Sequence, residues 1–287
     1  MNVILCSERD RQGDYFVFHN QDERYLHIIK VLKLKTNDTF KAGLINAELG
    51  IACIKDLNSE RIVFDFVPTI KPHPLHPLHL LLGIPRPIQL KRLLKDISTL
   101  GISSINLTGT VLGEKSYITS SLIARDEIEK YLIEGAAQAG STLLPSYRIS
   151  SSLARAFEQN DILRGKAEKT SNVIRLLFDV EEGQDKASSQ YQSTLDAFVE
   201  DRCSEKYKEN EPLPKSTKNK SLLSYDSAKG KQIVLAIGSE RGWVRSEREI
   251  FRSFNFNTIT LGSRIMRCET ATIVAISYIL TKIGWDA

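Results

Sequence analysis

Over the first seventy residues the apolar positions come in short runs, Tyr15-Phe-Val-Phe18, Thr39-Phe-Lys-Ala-Gly-Leu-Ile45, Gly50-Ile-Ala-Cys-Ile54 and Arg61-Ile-Val-Phe-Asp-Phe-Val67, each bounded by polar turns. Short strands with close turns predict a small β-barrel. One stretch breaks the pattern. Tyr25-Leu-His-Ile-Ile-Lys-Val-Leu-Lys-Leu-Lys35 spaces Leu26, Ile29 and Leu32 or Leu34 for a helical turn, and the same turn carries Lys30, Lys33 and Lys35.

Pro68-Thr-Ile-Lys-Pro-His-Pro-Leu-His-Pro-Leu-His79 favours polyproline II, whose period of three would set His73, His76 and His79 on one edge. A stiff linker explains that edge better than a metal site, because zinc takes a tetrahedral ligand cluster and not a line. Strand and helix patterns then alternate. A strand Leu78-His-Leu-Leu-Leu-Gly-Ile84 leads through Pro85-Arg-Pro87 to a helix with apolar Leu90, Leu93, Leu94, Ile97 and Leu100. Pro87 lies in its first turn, Gly101 just past its end, and Lys91, Arg92 and Lys95 on its opposite face. There follow a strand Ile102–Leu107, a helix from about Leu122 to Ala139, strands Val173–Val180 and Gln232–Ile237, a helical run from Ser246, and a last helix from Thr270 to about Ile283. This alternation is the form of an α/β parallel sheet. Residues 182–230 interrupt it with Glu, Lys, Ser, Asn and Gln and little apolar periodicity, as an insertion would.

Composition narrows the class only slightly. A chain of 287 residues forms one or two domains, and a net charge of +4 weakly favours a polyanionic partner. Cys6, Cys53, Cys203 and Cys268 lie far apart with no CxxC spacing, so neither a zinc knuckle nor a disulfide framework is indicated and a reducing cytoplasm is expected. No apolar run is long enough for a signal peptide or a membrane span.

The specific chemistry lies near the C-terminus. Leu261-Gly-Ser-Arg-Ile-Met-Arg-Cys-Glu-Thr-Ala271 sets Arg264 and Arg267 just ahead of a carboxylate, Glu269, and an apolar helix. Upstream, Ile237-Gly-Ser-Glu-Arg-Gly-Trp243 follows a buried-strand pattern and precedes a helix. Ligands collect outside the carboxyl ends of strands in open α/β sheets, where glycine lets backbone approach them, so the two loops define a candidate cofactor site. A third run, Gly109-Thr-Val-Leu-Gly-Glu-Lys-Ser116, imitates a P-loop. It is one residue too short between its glycines, and Glu114 stands where phosphate oxygens would rest, which argues against nucleotide triphosphate binding.

The two C-terminal loops resemble the RsmE family, the 16S rRNA uridine methyltransferases of the SPOUT class, whose signatures read IGPEGG(F/L)(S/T)xxE and LGxR(I/V)LRxETA. The second is matched almost residue for residue. The first is matched at Ile237, Gly238, Glu240, Gly242 and Glu247 with Trp243 as the aromatic, while Ser239 replaces a proline and Arg241 a glycine. The family's N-terminal HxxxVLR(L/M)xxGD motif is matched at His27, Val31, Leu32, Lys33, Leu34 and Asp38.

The resemblance implies an N-terminal PUA-like RNA-binding β-barrel over residues 1–70, a proline-rich linker at 71–77, and a SPOUT-type α/β domain with a deep trefoil knot over 78–287, interrupted at about 182–230. It implies S-adenosylmethionine as cofactor, held by three loops: Thr108 and Gly109; Ala236, Ile237, Gly238, Glu240 and Gly242; and Leu261, Gly262, Ile265 and Met266. It implies methylation of N3 of a uridine in 16S ribosomal RNA of the small subunit by a cytoplasmic homodimer. Losing the N3 proton leaves an anion, which Arg264 and Arg267 can stabilise, or they can grip phosphate. Glu269 either orients one of them or meets the free N–H groups that open the last helix. Lys30, Lys33, Lys35 and Arg86 are the candidate RNA contacts.

Three departures stand out. The helix after the first signature has Val244 where the family has a Ser/Thr cap, and Ser246 with Glu249 forms an S-x-x-E box two residues later, which predicts a displaced helix start. The family's S-E-R-(S/C) segment is replaced by Thr110-Val-Leu-Gly113, without Glu or Arg. Of its E-Q-(S/C)-x-R segment only Gln138 remains, leaving Arg86, Lys115 or Arg148 to compensate. Two alternatives therefore accompany the main reading: an RNA-binding protein that keeps the fold without methylating, and a methyltransferase acting on another RNA.

Overall fold

The short alternating runs at the start of the chain form strands, and the alternating pattern after residue 76 forms a second sheet. The computed structural model describes residues 2–123, 125–164, 173–179, 230–260 and 264–284. The expected insertion at 182–230 lies, apart from Gly230, outside them. Two compact units result.

The first unit contains residues 1–76, 87–103 and 120–146. Its sheet runs in the order β1 (Ile4–Cys6), β4 (Thr39–Leu44), β5 (Leu49–Leu57), β6 (Arg61–Ile70), β3 (Tyr15–His19) and β2 (Arg11–Gln12). β1 and β4 are parallel and the other pairs antiparallel. Alternation sends Phe16, Phe18, Phe40 and Phe64 inward, where the first three rings meet Phe64 at centroid distances of 5.7, 4.9 and 5.3 Å. Each buried ring contributes roughly 1.5–3 kcal/mol. The helical turn expected around residue 30 is present in two parts. Asp22 caps α1 (Glu23–Leu26) by accepting from Arg24 N–H at 2.8 Å, and a π-helical turn His27–Leu32 follows. Lys33 ends that turn with φ +54.

Also in this unit, α2 (Pro87–Thr99) buries Leu90, Leu93, Leu94 and Ile97 as its spacing predicts. The helix expected from Leu122 begins as a 3-10 turn, Ser121–Ile123, before α4 (Arg125–Ala139). The two helices touch closely: Ser98 Oγ donates to Leu132 O at 2.7 Å and Thr99 Oγ1 to Gly135 O at 3.1 Å. Lys91 and Lys95 flank the Tyr131 ring at 5.6 and 5.3 Å, so part of the basic face of α2 is occupied by cation–π contact.

The second unit contains residues 77–86, 104–119 and 147 onward. Its strand order is β12 (Asn257–Ile259), β10 (Val173–Phe178), β11 (Gln232–Ile237), β7 (His76–Gly83), β8 (Ile102–Thr108), β9 (Ser146–Ser150). β12, β10, β11 and β7 are mutually parallel, which makes this the α/β fold that the alternation predicted. β11 is formed late in the chain yet lies between β10 and β7. One face of the sheet packs Leu81, Val234 and Ala236 against Phe157 of α5 (Leu153–Gln159) and Phe251 of α7 (Arg245–Ser253). The helix α8 (Cys268–Ile283) packs on β11, and its Ile276, Ile279, Leu280 and Ile283 are buried within the chain. Among the described residues no helix is long and apolar enough to cross a membrane.

The expected histidine edge does not form. β7 begins at His76, so His76 and His79 point to opposite faces of a strand and the single polyproline edge of three histidines does not form. Hydrogen bonding along a sheet outweighs the preference of isolated prolines for polyproline II.

His79 is buried, with Nδ1 2.7 Å from Ser104 Oγ and Nε2 2.7 Å from Gln232 Oε1. Burial lowers its pKa from the usual 6.5, more than the hydrogen bond to Gln232 raises it. The folded chain thus binds this proton less readily than the unfolded chain. Stability from this source is full above about pH 6.5 and lost as pH falls below it. Melting temperatures measured from pH 7 to pH 5 should drop more steeply for the native protein than for His79→Asn, and parallel curves would remove His79 as the cause.

Candidate functional site

β7 and β11 are neighbours, but the chain leaves β7 toward β8 and leaves β11 toward β12, on the other side of β10. Connections that diverge from adjacent parallel strands open a crevice at their carboxyl ends. Gly83 and Ile237 end these strands, and β8 ends beside them at Thr108, where Ile84 N–H donates to Thr108 O at 2.9 Å. The predicted site residues Thr108, Ala236, Ile237 and Gly238 are all buried here.

Beyond Ile237 the chain makes a tight turn, with Gly242 N–H donating to Ser239 O at 2.9 Å and Gly242 at φ +65. A side chain at 242 would be strained. At Gly238 a Cβ would come within 2.8 Å of Gly242 Cα, so only glycine allows the turn to fold back on itself. Carboxylates and hydroxyls then tie this turn to the neighbouring strand ends. Glu240 Oε1 accepts from Arg86 N–H at 2.8 Å, and Ser239 Oγ lies 3.1 Å from Thr110 Oγ1. Glu247 Oε1 accepts from Val111 N–H at 2.9 Å. Cys268 Sγ, in the first turn of α8, donates to Gly238 O at 3.1 Å. A cavity results, lined by Arg86, Leu112, Gly113, Glu114, Tyr117, Ser239, Glu240 and Arg241.

The start of α7 corrects the sequence reading. The helix begins at Arg245 with Val244 as N-cap, and Glu247 Oε2 accepts from Val244 N–H at 3.0 Å. Ser246 and Glu249 do not cap it; Glu249 pairs with Arg245 at 3.3 Å. Valine has no acceptor, so only the reciprocal half of a capping box forms. That half suffices because the carboxylate is buried and charge-assisted.

Arg264 and Arg267 are exposed, Arg267 at the N-cap of α8 and Glu269 in its first turn. Among the described residues no salt bridge joins Glu269 to either arginine. Ile265 is 84% exposed and Met266 partly buried. Leu261 and Gly262 lie outside the described residues. Of the basic candidates, Arg86 lines the cavity, whereas Lys30, Lys33 and Lys35 are exposed in the first unit. Sequence reasoning missed Tyr117, which carries no periodic or motif signal, and Thr110 and Ser239, which it read only as departures from family motifs; it read Glu247 only as a motif position.

Comparison with known proteins supplies a family. The model of the RNA methyltransferase domain matches residues 71–280. The chain is 35% identical over 285 residues to ribosomal RNA small subunit methyltransferase E of Treponema pallidum, covering 98% of this chain and 91% of that protein. It is 26% identical over 254 residues to ribosomal RNA small subunit methyltransferase E 1 of Borreliella burgdorferi, 88% of each. In fold it is similar to the Neisseria gonorrhoeae ribosomal RNA small subunit methyltransferase E bound to S-adenosyl methionine, with a TM-score of 0.64 at 16% identity over 98% of this chain and 97% of that one. A protein of Porphyromonas gingivalis described as a probable rRNA-methyltransferase gives a TM-score of 0.64 at 17% identity, over 98% of both chains.

Burial pushes the Cys268 thiol up to about 12, with the Glu240 and Glu269 charges adding to it, and burial does the same to Cys6. Thiols react as thiolates. Iodoacetamide at pH 8 should therefore label the partly exposed Cys53 in native protein and spare Cys6 and Cys268 until denaturant is added, as read by peptide mass spectrometry. Native labelling of Cys268 would mean that the start of α8 opens readily.

Proposed function

The chain belongs to the RsmE family of RNA methyltransferases, and from that premise we propose that it methylates N3 of a uridine in 16S ribosomal RNA with S-adenosylmethionine as donor. The observation that carries this reading is the meeting of the β7, β8 and β11 ends at one crevice, tied together by Glu240, Ser239 and Glu247. The residues suit the donor. Gly238 lets the turn fold back tightly at the end of β11, and the adjoining cavity is lined by the carboxylates of Glu114 and Glu240 and the guanidinium groups of Arg86 and Arg241, partners for a ligand that carries charges of both signs. Thr108 with Gly109, the Ala236–Gly242 loop, and Leu261, Gly262, Ile265 and Met266 hold it in this reading. Bound there, the donor supplies a methyl group on a positively charged sulfur.

The rest falls to the chain's own groups. The uridine imide must release its N3 proton, to water, before its lone pair can displace the neutral thioether from the methyl group, and cations beside the base oxygens favour the intervening anion. Arg264 and Arg267 take that role; they are exposed at the start of α8, where the helix dipole adds positive potential. Glu269 orients the pair or balances the dipole. Arg86 contacts RNA at the cavity, and Lys30, Lys33 and Lys35 contact phosphates from an N-terminal PUA-like barrel spanning residues 1–70. Residues 71–77 link it to a SPOUT domain spanning 78–287. The position of β11 between two earlier strands supports a deep trefoil knot in that domain. Exposed Val111, Leu112, Ile265 and Val274 support a subunit contact in a homodimer. The working compartment is the cytoplasm.

Mass spectrometry of 16S ribosomal RNA nucleosides from cells with and without the gene tests the reaction, and loss of 3-methyluridine is the expected result. An unchanged nucleoside profile would favour an RNA-binding protein without activity, and loss of a different methylated nucleoside another target.

Gly238→Val forces the turn open and should weaken S-adenosylmethionine binding by at least about tenfold in calorimetry, equivalent to about 1.4 kcal/mol. Equal affinity in a folded variant would place the donor elsewhere. Arg267→Ala should slow methylation by about a hundredfold with little change in donor affinity, because its charge acts on the transition state. Parallel losses in both would make Arg267 a donor-binding residue.

A further inference from the structure

The carboxylate of Glu247 is 3% exposed, and its two oxygens serve different parts of the chain. Oε2 accepts from Val244 N–H at 3.0 Å, a local contact that satisfies a free donor at the start of α7. Oε1 accepts from Val111 N–H at 2.9 Å, across 136 residues of sequence, and does nothing for α7. The loop it reaches has few other anchors. Val111 and Leu112 are 67% and 41% exposed, so apolar packing within the chain does not hold them. Among the described residues, what remains is the turn hydrogen bond from Gly113 N–H to Thr110 O at 3.0 Å, internal to the loop, and the contact of Thr110 Oγ1 with Ser239 Oγ.

We propose that Glu247 is a positioning residue of the methyl-donor site: it fixes the Thr110–Gly113 loop against the Gly238–Val244 loop and so sets the shape of the cavity that Leu112, Gly113, Ser239 and Glu240 line. The inference rests on the reading of that crevice as the donor site. The residue type follows from the geometry. Both oxygens must accept, which an ionised carboxylate does and an amide cannot, since glutamine presents one acceptor and one donor. Aspartate is one methylene too short to span both N–H groups. The charge is held by two N–H donors and by the positive end of the α7 dipole, and therefore needs no cationic side chain.

Glu247→Gln tests this. Its melting should stay cooperative and the amides of α7 protected, while Val111 N–H exchanges at least about tenfold faster and S-adenosylmethionine binds about tenfold more weakly, the size of one charge-assisted hydrogen bond. Val111→Pro removes the same hydrogen bond from the other side without touching the helix cap. It should reproduce the loss of donor affinity, and the combined variant should bind no more weakly than either alone. Should Glu247→Gln fail to fold, Val111→Pro decides the matter by itself. Full donor affinity in a variant whose Val111 region exchanges faster, or additive losses in the double variant, overturns the positioning role alone. A native protein that does not bind the donor overturns the reading of the site, and this inference with it.

Discussion

The second unit depends on one constraint, that β11 must enter a sheet between strands already present on either side. Its residues Ile233 to Ile237 are all buried, and its ladder is parallel to β10 on one edge and β7 on the other. Alternation divides the burial. Val234 and Ala236 meet the Phe157, Trp243 and Phe251 cluster, while Ile233, Leu235 and Ile237 face the opposite side. With each large side chain worth roughly 1.5–3 kcal/mol, a polar substitution at any of these five buried positions costs stability. The same insertion brings the end of β11 beside that of β7 and makes the crevice. Core packing and site geometry are thus one decision.

Within the crevice, buried carboxylates outweigh visible ion pairs. Arg241 and Glu114 approach to 3.8 Å, but their side chains are 65% and 55% exposed, and such pairs contribute about 0–1 kcal/mol. Glu247 is nearly inaccessible and accepts two backbone N–H bonds. Leaving either of its oxygens buried and unpaired would cost about 1–3 kcal/mol. The loop that lacks the family's Glu and Arg is therefore held through its backbone. Arg86 likewise gives its backbone N–H to Glu240 while its exposed side chain stays available to a ligand.

The first unit separates the two tasks. Its stability lies in the rings gathered around Phe64 and in Arg24, which pairs with Asp10 at 2.8 Å and Asp22 at 2.6 Å and lies 4.0 Å from the Phe18 ring. Its solvated face carries Lys30, Lys33 and Lys35 with Val31 64% exposed, while Ile28 is buried in the core and Ile29 and Leu34 pack against it. Changes on that face can alter a surface contact at little cost to the fold.

By itself the sequence determined the class and the placing of most elements. Period-two and period-3.6 patterns are local, so β11 was read at its observed bounds, and the burial of α2 followed from Leu90, Leu93, Leu94 and Ile97. Family membership was legible too, because glycines and arginines in fixed spacing are one-dimensional signals. Short elements with few apolar residues, β9 and β12 among them, left no such trace. The start of α7 is not legible in the sequence, because Ser246 offers the expected hydroxyl cap while the buried Glu247 satisfies Val244 N–H without one. What only the tertiary structure decided was which distant groups meet: Glu240 with Arg86, Ser239 with Thr110, Glu247 with Val111. Strand order sets those meetings, and strand order depends on how nonlocal burial is shared among all the strands, which no local pattern records.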